Sequence, residues 1–292
     1  MEVKMKKVKQ ILYGNLVDMG GIPLRQPLPT QNVEQIDPFL LLHHARLVVK
    51  PDTNHKHAGV GPHPHRGFSP VTFVFEGSVH HRDSRGNSSV VSEGGVQWMN
   101  AGMGMIHSER PSEELAREGG YQEIIQLWVN TPAVHKMDQP YYLALQKSEI
   151  PRIDPDRGEG YIQLVSGEMN GKQGKVKTQI PLLSAMGKLH SGAEHIFHVP
   201  EDRNTTLYLL DGELSISGHG LVEKHQLIVF DNEGTDIGVI VKKDTRFLLL
   251  SGEPINEPLA THGPFVMNNQ TQIMEAMRDY QMGKMGMLVE EF

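Results

Sequence analysis

Short strand-like runs closed by glycine turns, laid down twice along the chain, constrain the fold more than any other feature of this sequence. Val71-Thr72-Phe73-Val74-Phe75-Glu76-Gly77 reads against Thr206-Leu207-Tyr208-Leu209-Leu210-Asp211-Gly212 at an offset of 135. Gly95–Asn100 reads against His225–Phe230 at an offset of 130, so the second copy carries a shorter hairpin. The runs are rich in β-branched and aromatic residues and are bounded by turn formers, which is the pattern of strands. Glu123–Val129, Leu227–Phe230, Ile237–Val241 and Phe247–Leu250 extend the series. Thr205–Leu210, Asp211-Gly212 and Glu213–Ser217 together carry a hairpin signal. Many short strands at this spacing predict an all-β chain of sandwich or jelly-roll type.

The chain has 292 residues, enough for two ordinary domains. Thr131-Pro132, Gln139-Pro140 and the proline- and glycine-rich stretch Pro151–Gly160 place the junction between them. The expected division is an N-terminal domain over residues 1–140 and a C-terminal domain over residues 141–292. Helix is scarce. Gln270–Met282 places Ile273, Met277 and Tyr280 on one stripe and stops at Gly283, which predicts a short C-terminal helix. Ser112–Arg117, acidic in its first turn, is a second candidate.

No cysteine is present, which excludes disulfides, thiolate nucleophiles and cysteine-ligated metals. Met1–Lys9 is charged and has no apolar core of the kind a secretory signal needs. No apolar run approaches membrane-span length, and a reducing, cytoplasmic setting is expected. The formal charge of −7 argues against direct nucleic-acid contact. Lys4, Lys6, Lys7 and Lys9 form the one basic concentration, read as a solvated terminus.

His63-Pro64-His65 and His107-Ser108-Glu109 carry the chemistry. Side chains at i and i+2 of a strand share a face, so each pair aims two ligands at one point. Three imidazoles and a carboxylate suit a transition metal, with geometry choosing among zinc, copper, iron and nickel. A chain with sixteen histidines also yields this spacing by chance, and His55-Lys56-His57 is read as such a surface loop. His43-His44 and His80-His81 are adjacent pairs whose side chains point to opposite faces of a strand, so they are read as core or surface. Under the internal repeat His63 meets His198, His65 meets Pro200, His107 meets Ile237 and Glu109 meets Val239. The second half thus keeps the strand pattern and loses three of the four ligands.

His63-Pro64-His65-Arg66-Gly67-Phe68, Gln97-Trp98-Met99-Asn100-Ala101-Gly102 and Ile106-His107-Ser108-Glu109 resemble the pirin family of the cupin superfamily. Asp37-Pro38-Phe39-Leu40 with His43-His44, His262–Asn268, and Asp279-Tyr280-Gln281 with Gly283-Lys284 extend the resemblance over nearly the whole chain. It implies two jelly-roll (cupin) barrels packed together and one mononuclear divalent metal in the N-terminal barrel, held by His63, His65, His107 and Glu109. The metal implied is Fe(II), with Ni, Cu, Mn, Co and Zn as alternatives. The carboxylate that general cupins place just after the paired histidines is absent here, where Phe68, Ser69 and Pro70 stand. Many relatives carry arginine or another polar residue at Met103, so a different or more apolar substrate is expected if that side chain touches it.

The resemblance further implies a dioxygenase that cleaves a flavonol such as quercetin with dioxygen and releases carbon monoxide. Glu109 would serve as ligand and as base for the substrate hydroxyl. Phe73, Phe75 and Trp98 are candidate pocket walls, and Gln122, Glu123 and Gln126 are candidate partners for the ligands. The alternative is a non-enzymatic, iron-binding redox sensor that regulates through protein partners. A monomer is expected in either case.

Overall fold

The computed structural model describes residues 4–290. The chain is built almost entirely of antiparallel strands and divides into two units. Residues up to His44 join Ser148–Pro254 in one unit, and Ala45–Lys147 joins the C-terminal stretch from Ile255 in the other.

These are not the contiguous pieces 1–140 and 141–292. The boundary near 147 does fall in the proline-rich junction, but both ends of the chain are exchanged. Backbone pairing explains the N-terminal exchange. Val8–Tyr13 hydrogen-bonds along Gln226–Phe230, so the first strand belongs with the second half. Residues 255–290 pack with the first half: Phe265, Met267, Ile273, Ala276 and Met285 bury themselves with Ile106. Chain contiguity carries no information about such pairings, whereas burial of apolar faces decides them.

The unit containing Ser148–Pro254 has one sheet of seven strands, running Val8–Tyr13, Gln226–Phe230, Asn204–Leu209, Thr245–Gly252, Leu182–Leu189, Gly160–Ser166 and Arg152–Ile153. Its second sheet has four: Glu194–His198, Asp236–Lys243, Glu213–Ile216 and Gly220–Glu223. Ile162, Leu164, Leu207 and Leu249 from the first meet Phe197, Leu214, Ile216, Ile237 and Val239 from the second in one core. The other unit repeats the plan. Tyr141–Leu145, Val96–Asn100, Phe68–Glu76 and Gly120–Asn130 are consecutive in its larger sheet. Val60–His65, Met105–Arg110, Ser78–Asp83 and Ser88–Ser92 form the smaller one. Two sheets closing on one core is the jelly-roll arrangement.

The strands predicted around Asp211-Gly212 exist, but they do not pair with each other as a hairpin. Asn204–Leu209 lies in the larger sheet beside Gln226–Phe230 and Thr245–Gly252. Glu213–Ile216 lies in the smaller sheet beside Gly220–Glu223 and Asp236–Lys243. Gly212 is a corner at which the chain changes sheets. Gly77 is the same corner in the other unit, between Phe68–Glu76 and Ser78–Asp83. Both glycines hold positive φ, 75° at Gly77 and 78° at Gly212. A Cβ on Gly77 would come within 2.3 Å of the Tyr121 carbonyl oxygen, and one on Gly212 within 2.2 Å of that of Asp244. The repeated glycine is therefore a steric requirement of the corner.

The C-terminal helix spans Gln270–Gln281, with the Asn269 side chain accepting from the Gln272 amide as its N-cap. Its buried residues are Ile273 and Ala276, while Met277 and Tyr280 of the expected stripe are 36% and 39% exposed. The second predicted helix forms over Glu113–Glu118, capped by Ser112.

Candidate metal centre

Val60–His65 and Met105–Arg110 pair antiparallel in the smaller sheet, and this register puts His63 directly opposite His107. Directly opposite residues project to the same side. His65, two positions on from His63, projects there as well. The ring centroids lie 4.7 Å apart for His63 and His65, 4.4 Å for His63 and His107, and 5.0 Å for His65 and His107. One nitrogen from each ring lies within 4.8 Å of the other two.

The second nitrogen of each ring is engaged elsewhere. His63 Nδ1 is 2.8 Å from the Gly61 carbonyl oxygen, and His65 Nδ1 is 3.3 Å from that of Pro264. A carbonyl only accepts, so both Nδ1 atoms carry the proton and both Nε2 atoms keep a lone pair. His107 Nδ1 faces His81 Nδ1 at 3.3 Å. The Nε2 atoms of His65 and His107 are buried with no hydrogen-bond partner. Orphaned buried acceptors are costly in a folded protein. The three rings converge, and a divalent cation held by neutral imidazole would satisfy them. The donor set fits a transition metal, and each ligand has the outer partner that metal-bound imidazoles ordinarily have.

Burial, followed by repulsion from the neighbouring imidazoles, holds the pKa of both His65 and His107 well below 6.5. Both rings are neutral ligands at neutral pH. An unfolded chain protonates them near 6.5, so below that pH the unfolded state binds more protons than the native one. Stability of the metal-free protein is therefore intact above about pH 6.5 and falls on acidification, with a slope that rises toward a limit of about 1.4 kcal/mol per pH unit for each ring. Denaturant midpoints of chelator-treated protein, taken from about pH 7.5 to 5.5, check this. Stability independent of pH across that window would contradict it.

Glu109 lies on the same strand two positions after His107, with a register shift between them. It is buried but does not belong to the close set formed by the three histidines. Its Oε1 accepts from Thr72 Oγ1 at 2.7 Å and from Gln97 Nε2, and its Oε2 accepts from Gln126 Nε2 at 2.6 Å. Of the three partners expected by position, Gln126 is the one engaged with this carboxylate. Gln122 donates to the Ser78 carbonyl, and Glu123 lies 3.6 Å from Arg46. Gln97 was part of the recognised motif but had no visible reason to face Glu109, because it comes from a strand of the opposing sheet.

The aromatic rings against the triad are Phe68 and Trp128. They lie 5.1 and 5.5 Å from the His65 ring and 4.4 Å from each other. Phe73 and Trp98, expected as walls, are fully buried core residues. Met103 is half-buried, and its carbonyl accepts from Arg66 Nε at 2.6 Å. His55 and His57 sit in a turn, as expected, and His55 lies 3.4 Å from Glu113.

The second unit has the same four-stranded sheet, with His195 as a buried polar side chain on its inward face. Phe197 faces Ile237 across Glu194–His198 and Asp236–Lys243, as His63 faces His107. The structural counterparts of His63, His65, His107 and Glu109 are thus Phe197, Val199, Ile237 and Val239, all in the core. The repeat read from sequence is one residue out at its first pair, where it matched His198 and Pro200. A one-residue slip turns every side chain to the other face. All four ligand positions, not three, are apolar in this unit.

Residues 21–129 match the family model for pirin, and residues 185–286 match the model for the pirin C-terminal cupin domain. Human pirin is 34% identical over 272 residues, covering 91% of this chain and 89% of its own. A Pseudomonas aeruginosa protein named provisionally as a quercetin 2,3-dioxygenase is 36% identical over 285 residues, covering 96% of this chain and 98% of its own. The crystal structure of a quercetin 2,3-dioxygenase from Acinetobacter baumannii superposes with a TM-score of 0.91 at 37% identity, over 98% of this chain and all of that one. Two cupin barrels, one with three convergent imidazoles and one with apolar residues at the matching positions, together with these matches, establish that the chain belongs to the pirin family.

Proposed function

We propose that the chain is a metal-dependent dioxygenase that opens the central ring of a flavonol. The observation that carries this reading is the pair of orphaned Nε2 atoms on His65 and His107, beside the aromatic faces of Phe68 and Trp128. The names of the Acinetobacter and Pseudomonas relatives point the same way.

In this reading His63, His65, His107 and Glu109 hold one Fe(II). The ion would supply Lewis acidity toward the 3-hydroxyl and carbonyl of a flavonol and an open position for dioxygen. The chain's own groups do the rest. Phe68 and Trp128 offer flat apolar surface to the flavonol rings. The Glu109 carboxylate takes the hydroxyl proton, held in place by Thr72, Gln97 and Gln126. Both oxygen atoms of dioxygen enter the product, two carbon–carbon bonds of the ring break, and carbon monoxide leaves.

An oxygen-electrode screen of flavonols on iron-loaded protein, with carbon monoxide detected in parallel, tests the reading. Steady consumption abolished in His63→Ala supports it. Stable metal binding without turnover of any flavonol contradicts it, and favours a metal-dependent regulator acting through a protein partner.

A further inference from the structure

We propose that His81 is a positioning residue for the metal ligand His107, and that Asp83 fixes the tautomer of both rings. This rests on the reading of the three imidazoles as a metal centre.

His81 is fully buried on Ser78–Asp83, opposite Glu109 in the register, while Asp83 stands opposite His107. His81 Nε2 is 3.0 Å from Asp83 Oδ2. The carboxylate only accepts, so the His81 proton sits on Nε2. The Nδ1 of neutral His81 is then an acceptor, and it lies 3.3 Å from His107 Nδ1. His107 must donate across that contact. Its own Nε2 is left without a proton, and that is the buried, partnerless atom of a ring whose centroid lies 4.4 Å from that of His63 and 5.0 Å from that of His65. Two donor–acceptor contacts in series thus run from Asp83 to the ring that carries the ligand atom.

Asp83 is itself held rigidly. Its Oδ1 accepts from the backbone amides of Arg85 at 2.8 Å and Asn87 at 3.1 Å, and its Oδ2 accepts from Asn87 Nδ2 at 2.8 Å. His81 is fixed in plane by Tyr142, whose ring stacks on it at 3.8 Å with 4° between planes. The Tyr142 hydroxyl donates to Gln97 Oε1 at 3.3 Å, which turns Gln97 Nε2 toward Glu109. His107 and Glu109 are therefore oriented from the same layer of side chains.

Asp83→Asn tests the chain of donors. Two backbone amides keep the introduced amide oxygen at the Oδ1 position, so its nitrogen faces His81 Nε2 and donates there, with the Asn87 side-chain amide turned over to accept its other proton. The His81 proton moves to Nδ1, His107 becomes the acceptor, and the His107 proton moves to Nε2, where the metal would bind. Loss of such outer partners typically costs 10- to 100-fold in metal affinity. Chelator competition with Co(II) and Ni(II) alone is expected to show a loss of that size. Nitrogen-15 imidazole spectra of the metal-free protein are expected to show His107 passing from the Nδ1–H to the Nε2–H form. His81→Gln offers an oxygen toward His107 and an amide proton toward Asp83, and is expected to retain affinity within a few-fold. His81→Leu is expected to fall as Asp83→Asn does.

Wild-type affinity in Asp83→Asn, or equal losses in His81→Gln and His81→Leu, would overturn the proposal, the second by showing that only packing matters. The assay uses metal without flavonol, so an absence of turnover sinks the catalytic reading and leaves this one standing. A wild-type protein that binds neither ion sinks both.

Discussion

His65→Ala is expected to lower divalent-metal affinity by at least ~100-fold, about 2.7 kcal/mol, while leaving the fold in place. The ring it removes is 2% exposed, and its Nε2 has no other partner. Losing it leaves two imidazoles at a site that needs three. The ring also packs edge-on against Phe68 and Trp128, so a modest cavity cost accompanies the change. Retained metal with wild-type affinity would show that the ion sits elsewhere. Metal content after dialysis against a chelator, with circular dichroism as a check on folding, separates the two results.

Deleting residues 268–292 is expected to destabilise the unit that carries the three histidines by about 3 kcal/mol or more, because it breaks a buried ion pair. The Arg66 guanidinium is 5% exposed, and two of its nitrogens each lie 3.1 Å from Asp279 Oδ2. Among the described residues, truncation leaves that cation with the Met103 carbonyl as its one hydrogen-bond acceptor. It also strips Ile273, Ala276 and Met285 from Ile106, the outward neighbour of His107. Farther along the same strand, Ser108 and Arg110 lose Glu290, which accepts from Ser108 Oγ at 2.6 Å and from Arg110 Nε at 2.9 Å. The outward face of the strand that carries His107 and Glu109 is thus covered by Ile273, Ala276, Met285 and Glu290. Weaker metal retention should accompany a fall in the thermal midpoint on the order of 10 °C. Unchanged midpoint and unchanged metal content in the truncated protein would contradict this.

The ligand triad was legible because its geometry is local. Two histidines at i and i+2 share a face whatever surrounds them, and only the pairing of two strands was needed to unite them. His81 shows the limit. The rule that splits His80 from His81 across two faces is correct, since His80 is half-buried and His81 fully buried. What the rule lacks is the identity of the neighbouring strand, which puts His81 against His107. The spacing His81-x-Asp83 was the available signal, because it sets an acceptor on the same face as a buried imidazole. Gln97 was out of reach for the same reason, since its contact with Glu109 crosses between sheets.

Strand content was legible from β-branched and aromatic runs, and the two-barrel plan followed from the repeat. The connection at Asp211-Gly212 was not. That dipeptide favours a tight turn in either setting, and a glycine at positive φ serves a corner between sheets as readily as a hairpin. The phase of the repeat was also beyond the sequence, because His198 and Phe197 are neighbours and only the pairing with Ile237 decides which one faces inward. The return of the C-terminal helix to the first half is an expectation the sequence allows, whereas the pairing of Val8–Tyr13 with the second half was invisible because strand pairing leaves no mark in local periodicity.

The central claim is that His63, His65 and His107 hold a single ion in one barrel while the other barrel holds none. Metal analysis of freshly purified protein, joined to X-ray absorption at the edge of the metal found, tests it most directly. One ion per chain, with scattering from three imidazoles in its coordination sphere, is the predicted result. Protein that carries no metal and takes up none when offered Fe(II), Ni(II) or Co(II), or an ion whose shell lacks imidazole, would contradict it.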